Sequence, residues 1–316
     1  MSKISVGLLG ASGLVGEEYL RLLKNHPQFE VVFQPNRNTL LDFDAARPCQ
    51  FLFSALPSDK AQQVELEYAK RGFPIFSSAS CHRLEEDIPL IIPEINPDHL
   101  EMIPLQQKRR GWEKGFIVAK PNCTLQSYLL PLYPLHKRFQ LERLAVTNLQ
   151  AITGAGRTFK LSGNIIPYIS GEEEKSETEP LKILGTWDGS RLHPASLVIS
   201  SHCNRVPVLH GHLACVSASF KKKPTLDQVL EAWETFPGLD LPTAPKRPLL
   251  YFEENVRPQP LLDASYDRGM AVAVGRLRSC SLFDIRFTAL SHNLIRGAAG
   301  GGVLTAELYY EKIKHI

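Results

Sequence analysis

The chain has 316 residues, 43% of them hydrophobic and 22% charged, with a formal net charge of +3. This composition gives room for two ordinary globular domains and excludes a disordered, collagen-like or strongly basic chain. Basic clusters such as Lys108-Arg109-Arg110 and Lys221-Lys222-Lys223 are short and read as solvated loop faces, so nucleic acid is not an expected partner. Nor is a membrane: no apolar run approaches the ~20 residues that span a bilayer, and the N-terminus carries no signal-peptide pattern. The cysteines at 49, 81, 123, 203, 215 and 280 form no paired CxxC framework. Free thiols and a cytoplasmic setting are the expectation.

Lys3 to Leu9 reads as a short buried strand by its length and apolar content. It runs into Gly10-Ala11-Ser12-Gly13-Leu14-Val15-Gly16, and then into a helix carrying Val15, Tyr19, Leu22 and Leu23 on one face. Glycines at this spacing allow a tight turn and close approach of a pyrophosphate to a helix N-terminus. The fingerprint is GxxGxxG rather than GxGxxG, and its strength lies in its place between strand and helix. A second strand spans Phe29 to Gln34, after which an NAD site would carry an acidic residue about 20 residues past the glycines. Here Arg37 stands instead, in Gln34-Pro35-Asn36-Arg37-Asn38. An arginine suits a 2′-phosphate, so NADP is expected rather than NAD, although a plain surface arginine fits equally well. The linker from Pro35 to Cys49 is too short to hold a full helix comfortably.

Gln50 to Leu56 reads as a third strand, followed by Pro57 and an amphipathic helix to about Arg71. A fourth strand from Pro74 to Ala79 ends in small residues suited to a cofactor groove. Alternating strands and helices imply a parallel, doubly wound sheet. The run Gly115 to Ala119 then delivers the chain to Lys120-Pro121-Asn122-Cys123-Thr124, and Leu125 to Leu135 reads as a helix punctuated by prolines. A cysteine at that handover faces unpaired N–H groups and is biased toward thiolate, though a buried structural cysteine is an even alternative. Leu144 to Ala151 is an apolar strand carrying Gln150 and ending at Thr153-Gly154-Ala155-Gly156. From Asn164 to Glu179 five carboxylates crowd around Lys175, a pattern whose default reading is a solvated helix start. Ser201 to Ser217 is strand-like but interrupted by polar residues, among them Arg205, whose planar fork can grip a carboxylate. His202, Cys203, His210 and His212 lack the spacing of a zinc site, and no metal is expected.

These pieces resemble the aspartate-semialdehyde dehydrogenase family, in its archaeal and fungal branch. The matching stretches include GASGLVG at 10–16, FSALPS at 53–58, PLIIPEINPDHL at 89–100, RGWEKGFIVAKPNCT at 110–124, QAITGAG at 150–156, NIIPYISGEEEKSETEPLKILG at 164–185, CNRVPVLHGH at 203–212 and ALSHNLIRGAAGGGVLTAEL at 289–308. They run in family order over nearly the whole chain. The resemblance implies that Cys123 is the nucleophile toward an acyl phosphate, that Asn122 and nearby amides steady the oxyanion, and that His212 is the acid/base. It implies that Gln150 orients the substrate carbonyl and Arg205 clamps the α-carboxylate. Glu173 would take the substrate ammonium, with Glu172 and Glu174 left open as alternatives. Lys175 would take the phosphate, with Arg83 as a second ligand. Cofactor contacts fall on Gly10, Ser12, Gly13, Leu14, Val15, Arg37, Ser54, Pro57, Ser78, Gly154 and Asn293.

The implied product is aspartate 4-semialdehyde, formed with NADPH in the aspartate pathway of lysine, threonine, methionine and diaminopimelate biosynthesis. A malonyl-CoA reductase on the same scaffold and a non-catalytic paralogue are the rival readings. The expected fold is α/β: a Rossmann-type parallel-sheet domain over residues 1–122, completed by a C-terminal helix at 294–316, and a catalytic and dimerisation domain over 123–293. The second sheet should be mostly antiparallel, built from segments such as 144–151, 205–219 and 271–288, and the assembly a homodimer or homotetramer. Three departures stand out: the connection after the second strand is short, the stretch after Gly156 is reduced, and Lys120 stands where the family usually carries Asn.

Overall fold

The computed structural model describes residues 3–313. The first sheet forms where the short apolar runs fall. β1 (Ile4–Leu9), β2 (Phe29–Phe33), β3 (Phe51–Ser54), β4 (Pro74–Ser77) and β5 (Phe116–Ala119) are all parallel, in the order β2-β1-β3-β4-β5. Helices α1 (Leu14–Leu23), α2 (Ser58–Lys70) and α3 (Ile103–Arg110) make the crossovers. Between β2 and β3 the chain makes only turns and no helix, as the short linker predicts. The strand order reverses beside β1, so the glycine turn after β1 lies at the switch point where α/β sheets bind ligands.

α4 (Leu125–Phe139) follows β5, runs further than the sequence suggests, and keeps Pro131 and Pro134 inside it. Nearly all of its first eleven residues are buried, because it is the wall between the two halves of the molecule. One apolar cluster runs from Leu9, Leu52, Ile75 and Ile117 through Leu129 and Leu132 to Val146, Val216 and Phe287. A helix covered all round by protein tolerates apolar residues on every face.

The second sheet takes β6 (Leu141–Gln150), β9 (Val198–Arg205), β10 (His212–Phe220), β11 (Leu249–Phe252), β12 (Val272–Ser279) and β13 (Ile285–Ser291), in the order β11-β12-β13-β10-β6-β9. Three of its pairings are antiparallel and two, β6 with β9 and β11 with β12, are parallel. Helix α5 (Glu172–Ile183) leads to a small hairpin of β7 (Thr186–Trp187) and β8 (Leu192–His193); α6 (Leu226–Glu234) and the single turns α7 (Pro260–Asp263) and α8 (Tyr266–Gly269) complete this half. The stretches expected as continuous strands at 205–219 and 271–288 each belong to two strands. Pro207 and the positive φ of Gly211 turn the chain between β9 and β10, and a turn at 280–284 separates β12 from β13.

After β13 a π-turn at Ile295–Ala299 leads into α9 (Gly300–Ile313), which returns to the first sheet. Its Val303, Ala306 and Leu308 pack with Val6, Leu8, Phe29 and Phe53. His26, Thr243 and the buried Glu307 form a hydrogen-bonded knot there, with His26 Nε2 at 2.7 Å from Glu307 Oε1. The last three residues of the expected 294–316 helix lie outside the described residues.

The glycine turn shows why its residue types matter. Gly10 has φ +80°, and a Cβ on Gly16 would lie 2.2 Å from the Gly10 carbonyl oxygen. Helix α1 can sit this close to β1 only without a side chain at 16. Gly16→Ala is therefore expected to lose about 1–3 kcal/mol of stability, read as a lower urea midpoint at unchanged m-value.

Candidate active site

The site is made of strand ends. β6 and β9 are parallel with Gln150 opposite Arg205, while the antiparallel β10 begins at His212 opposite Ser291, the last residue of β13. Four neighbouring strands thus bring Gln150, Arg205, His212 and the Ser291-His292-Asn293 corner to one edge of the second sheet. The end of β5 delivers Lys120 to Cys123 from the other sheet.

Cys123 Sγ lies 3.2 Å from His212 Nε2. The other ring nitrogen, Nδ1, accepts the Ala151 backbone N–H at 3.0 Å. An acceptor at Nδ1 places the ring proton of neutral imidazole on Nε2, where it points at sulfur. Burial, and then the Arg205 charge, push the His212 pKa down to about 3. The ring is therefore a neutral donor to the sulfur. The thiol is pushed up, by burial first and then by the Glu172 charge, while Lys120, Arg83 and Arg205 pull it down. This corrects the expectation of a thiol made acidic by a helix N-terminus. The Thr124 N–H is already taken by Asn122 Oδ1 at 2.8 Å, and burial outweighs the rest.

A carboxylate stands over the Cys123 turn, and it belongs to Glu172. Asn122 Nδ2 donates to both of its oxygens at 3.0 and 2.9 Å, Gln150 Nε2 donates at 3.0 Å and Lys175 Nζ at 2.9 Å. Burial pushes the Glu172 carboxyl up, but Lys175 and these hydrogen bonds together hold it below the ordinary range. Glu173, the residue favoured from the sequence, faces elsewhere: its Oε1 accepts the Cys203 backbone N–H at 3.0 Å. One turn on, Glu177 accepts the Ser201 N–H at 2.9 Å. β9 is an edge strand, and these two glutamates satisfy its outward amides. Glu172, Lys175 and Glu179 share the opposite, inward face at i, i+3 and i+7. That spacing is the signal in the sequence that distinguishes Glu172 from its neighbours.

Arg83 and Glu179 form a buried pair at 2.9 Å, and the second Glu179 oxygen accepts the Asn122 backbone N–H at 2.7 Å. Arg83 Nη2 also donates to the Ser78 carbonyl at 3.1 Å, while its buried Nε has no protein partner among the described residues. Sequence reasoning missed Glu179, whose role follows only from its burial. Arg205 is buried, donates to the Ala151 carbonyl at 2.8 Å, and forms no ion pair with a carboxylate among the described residues. A Cβ on Gly154 would lie 2.7 Å from Arg205 Nη1 and 3.1 Å from His212 Cε1. Gly154, expected as a cofactor contact, is here the close-approach residue over Arg205 and His212. Asn293 Oδ1 accepts the Gly211 N–H at 2.9 Å and its Nδ2 donates to Thr153 at 3.0 Å, fixing the turn that leads to His212.

Gly154 and Asn293 thus belong to this cluster, and the other expected dinucleotide contacts surround the first sheet, with Ser78 joined to the cluster through Arg83. Ser12 and Gly13 are exposed at the N-terminus of α1, which has no side-chain cap, with Leu14 and Val15 half-buried behind them. A Cβ on Gly13 would meet only the Gly10 carbonyl, at 3.7 Å, so the space before the helix is open. First-turn amides without partners beside an open glycine are a cradle that fits a pyrophosphate. Ser54 ends β3, Pro57 precedes α2, and Ser78 follows β4 with its hydroxyl 3.1 Å from that of Tyr19. Arg37 is exposed in a turn closed by Asn36 Oδ1, which accepts the Asn38 and Thr39 amides at 2.8 and 3.2 Å.

A parallel nucleotide-binding sheet that delivers a cysteine to a cleft where a second sheet brings a histidine and an arginine, and a helix brings ion-paired carboxylates, is the architecture of a dinucleotide-dependent oxidoreductase. Residues 5–39 and 36–103 match the family described as semialdehyde dehydrogenase, NAD binding domain, and residues 132–296 match semialdehyde dehydrogenase, dimerisation domain. The aspartate-semialdehyde dehydrogenase of Archaeoglobus fulgidus is 38% identical over 97% of this chain and 98% of its own. The NADP-dependent malonyl CoA reductase of Metallosphaera sedula is 34% identical over 98% and 97%. The crystal structure of the Candida albicans aspartate-semialdehyde dehydrogenase with NADP superposes with a TM-score of 0.86 at 33% identity, covering 99% of both chains. The chain belongs to the aspartate-semialdehyde dehydrogenase family.

Because Glu172 opposes ionisation of Cys123, Glu172→Gln is expected to lower the midpoint of the pH profile for alkylation of Cys123. Iodoacetamide labelling followed by peptide mapping reads this directly, and an unchanged or higher midpoint contradicts it.

Proposed function

We propose that this chain is a cytoplasmic, NADP-dependent aspartate-semialdehyde dehydrogenase that reduces L-aspartyl-4-phosphate to L-aspartate 4-semialdehyde. The observation that carries the reading is the 3.2 Å contact of Cys123 Sγ with His212 Nε2, framed by Glu172, Gln150 and Arg205. In the first step the sulfur attacks the acyl carbon, a C–S bond forms, the C–O bond to phosphate breaks, and a thioester results. His212 donates Nε2–H to the sulfur, which stabilises it as thiolate before attack and again when the product leaves. The oxyanion is left to the Cys123 backbone N–H and to Asn122 Nδ2, which would share its hydrogens with Glu172. The bound NADPH supplies the hydride that converts the thioester to the aldehyde. The thiol proton leaves with the phosphate, and when the C–S bond breaks the returning thiolate takes up the one proton the reaction consumes.

Substrate recognition follows from charge. Glu172, with Asn122 and Gln150 holding its orientation, takes the α-ammonium; this replaces the role first expected of Glu173. Arg205, free of any acidic partner, takes the α-carboxylate bidentately. Lys175, beside Glu172, takes the phosphate, and the unpartnered Nε of Arg83 offers a second donor. A CoA thioester has no α-ammonium, so the Glu172–Lys175 pair supports the amino-acid substrate over malonyl-CoA.

Gly10, Ser12, Gly13, Leu14 and Val15 would hold the pyrophosphate, with Ser54, Pro57 and Ser78 along the groove. Arg37 is the basic group for a 2′-phosphate, which supports NADP over NAD. Residues 1–122 with the C-terminal helix form the cofactor half and 123–293 the catalytic half. The outer face of the second sheet leaves Ala145, Thr147, Leu149 and Leu213 half-buried and Cys215 exposed in one chain, which supports a homodimer through that face.

The test is phosphate-dependent oxidation of aspartate semialdehyde, followed as reduced-cofactor absorbance with NADP and NAD side by side. Turnover with NADP supports the whole reading, turnover with NAD alone overturns the cofactor assignment, and silence from folded protein overturns the substrate. Cys123→Ala is expected to abolish turnover while leaving cofactor binding intact. Arg205→Lys keeps the charge but loses the fork, and its kcat/KM is expected to fall ~10²-fold or more, about 3 kcal/mol.

A further inference from the structure

The thiolate of Cys123 needs a positive neighbour, and the site narrows the choice. His212 cannot supply it, since its Nδ1 accepts from the Ala151 amide and the ring stays neutral. Arg83 is already neutralised by Glu179 at 2.9 Å, and Lys175 by Glu172 at 2.9 Å. Arg205 is held beside His212 by the Ala151 carbonyl, where a substrate carboxylate would meet it. Lys120 remains. It is three residues before Cys123 and buried, with Nζ donating to the carbonyls of Pro121 and Gly297 and to no carboxylate.

These two carbonyls belong to the two segments that flank Cys123. Pro121 begins its turn, and Gly297 packs against it from the π-turn: a Cβ on Gly297 would lie 2.8 Å from Cys123 Cβ. The π-turn is itself anchored, because Arg296 pairs with the buried Glu94 at 2.6 and 2.7 Å and donates to Gln126 at 3.1 Å. We propose that Lys120 is a positioning residue that provides the counter-charge to the Cys123 thiolate and ties the nucleophile's turn to the Gly297 turn. The proposal rests on Cys123 being the nucleophile.

The charged groups facing this pair all have assigned partners or signs. Glu172 and Glu179 favour the charged lysine, as does the thiolate itself, and Arg83 opposes it. Burial first, and then Arg83, bring Lys120 down to about 7. An amine in that range keeps both carbonyl contacts with two N–H bonds, and gains its proton when the sulfur becomes negative. The two charges are linked through one shared proton: its transfer from the thiol to the amine makes the ammonium and the thiolate at once, although rising pH alone discharges the lysine.

The test needs neither substrate nor cofactor. Cys123 of the full chain is labelled with iodoacetamide across pH 6–10 and quantified by peptide mapping, in wild type, Lys120→Asn and Lys120→Arg. Asn is the residue the family resemblance leads one to expect at 120, so the fold should accept it. K120N is expected to raise the labelling midpoint by about one pH unit or more, roughly tenfold less thiolate below the midpoint. K120R, a permanent cation, is expected to leave it at or below the wild-type value. An unmoved midpoint in K120N with native near-UV circular dichroism overturns the proposal. Should K120N lose that signal, a K120R midpoint above wild type overturns it, and one at or below supports it. None of these outcomes depends on turnover of aspartate semialdehyde, so failure here and failure of the substrate assignment are separable.

Discussion

The structure turns on a buried carboxylate beneath the turn that carries Cys123. Glu179 accepts the Asn122 amide with one oxygen and the Arg83 guanidinium with the other. Its helix, α5, belongs to the second half of the molecule, Arg83 to the first, and Asn122 to the hinge between them. Breaking either contact would strand a charge in a dry interior, where an unpaired buried ion costs several kcal/mol. The pair is a poor source of net stability for the same reason, since desolvation consumes most of its Coulomb gain. What it gives is geometry: the turn carrying Cys123 is held to α5, and α5 carries Glu172 and Lys175 on the same face.

Much of the fold is legible in the sequence because it depends on local rules. Short apolar runs separated by helical patterns predict the parallel sheet, and a glycine turn between strand and helix marks the switch point. The site residues that strands deliver, Gln150, Arg205 and His212, are also readable, as polar residues with no packing reason to interrupt apolar runs. What the sequence hides is sidedness. Three consecutive glutamates at 172–174 look equivalent until α5 is known to lie between the turn and the edge strand β9. Then Glu172 faces inward, and Glu173 is consumed by the Cys203 amide. The strand boundaries at 205–219 and 271–288 are hidden for a related reason: register, not composition, sets where pairing stops.

Electrostatics explains why residues of such different kinds converge. Among the described site residues, Arg83, Lys175 and Arg205 face Glu172 and Glu179, an excess of one positive charge that an ammonium–thiolate pair of Lys120 and Cys123 leaves unchanged. An aminoacyl phosphate brings one ammonium, one carboxylate and a doubly charged phosphate, a net of two negative charges. Substrate and cleft are opposite in sign, which favours encounter.

The same charges govern the thiol. Burial and Glu172 keep Cys123 protonated in the free protein, and a buried thiol held this way is protected from the oxidation that follows thiolate character. On the proposed substrate assignment, an α-ammonium on Glu172 would cancel the charge that opposes ionisation and an α-carboxylate would cancel Arg205, leaving Lys120 and the His212 Nε2–H to favour the thiolate. On that proposal the thiol would be activated by the arrival of the molecule it attacks. A site arranged this way spends binding energy from the remote end of the substrate on the reacting sulfur, where it lowers the barrier instead of merely tightening the complex.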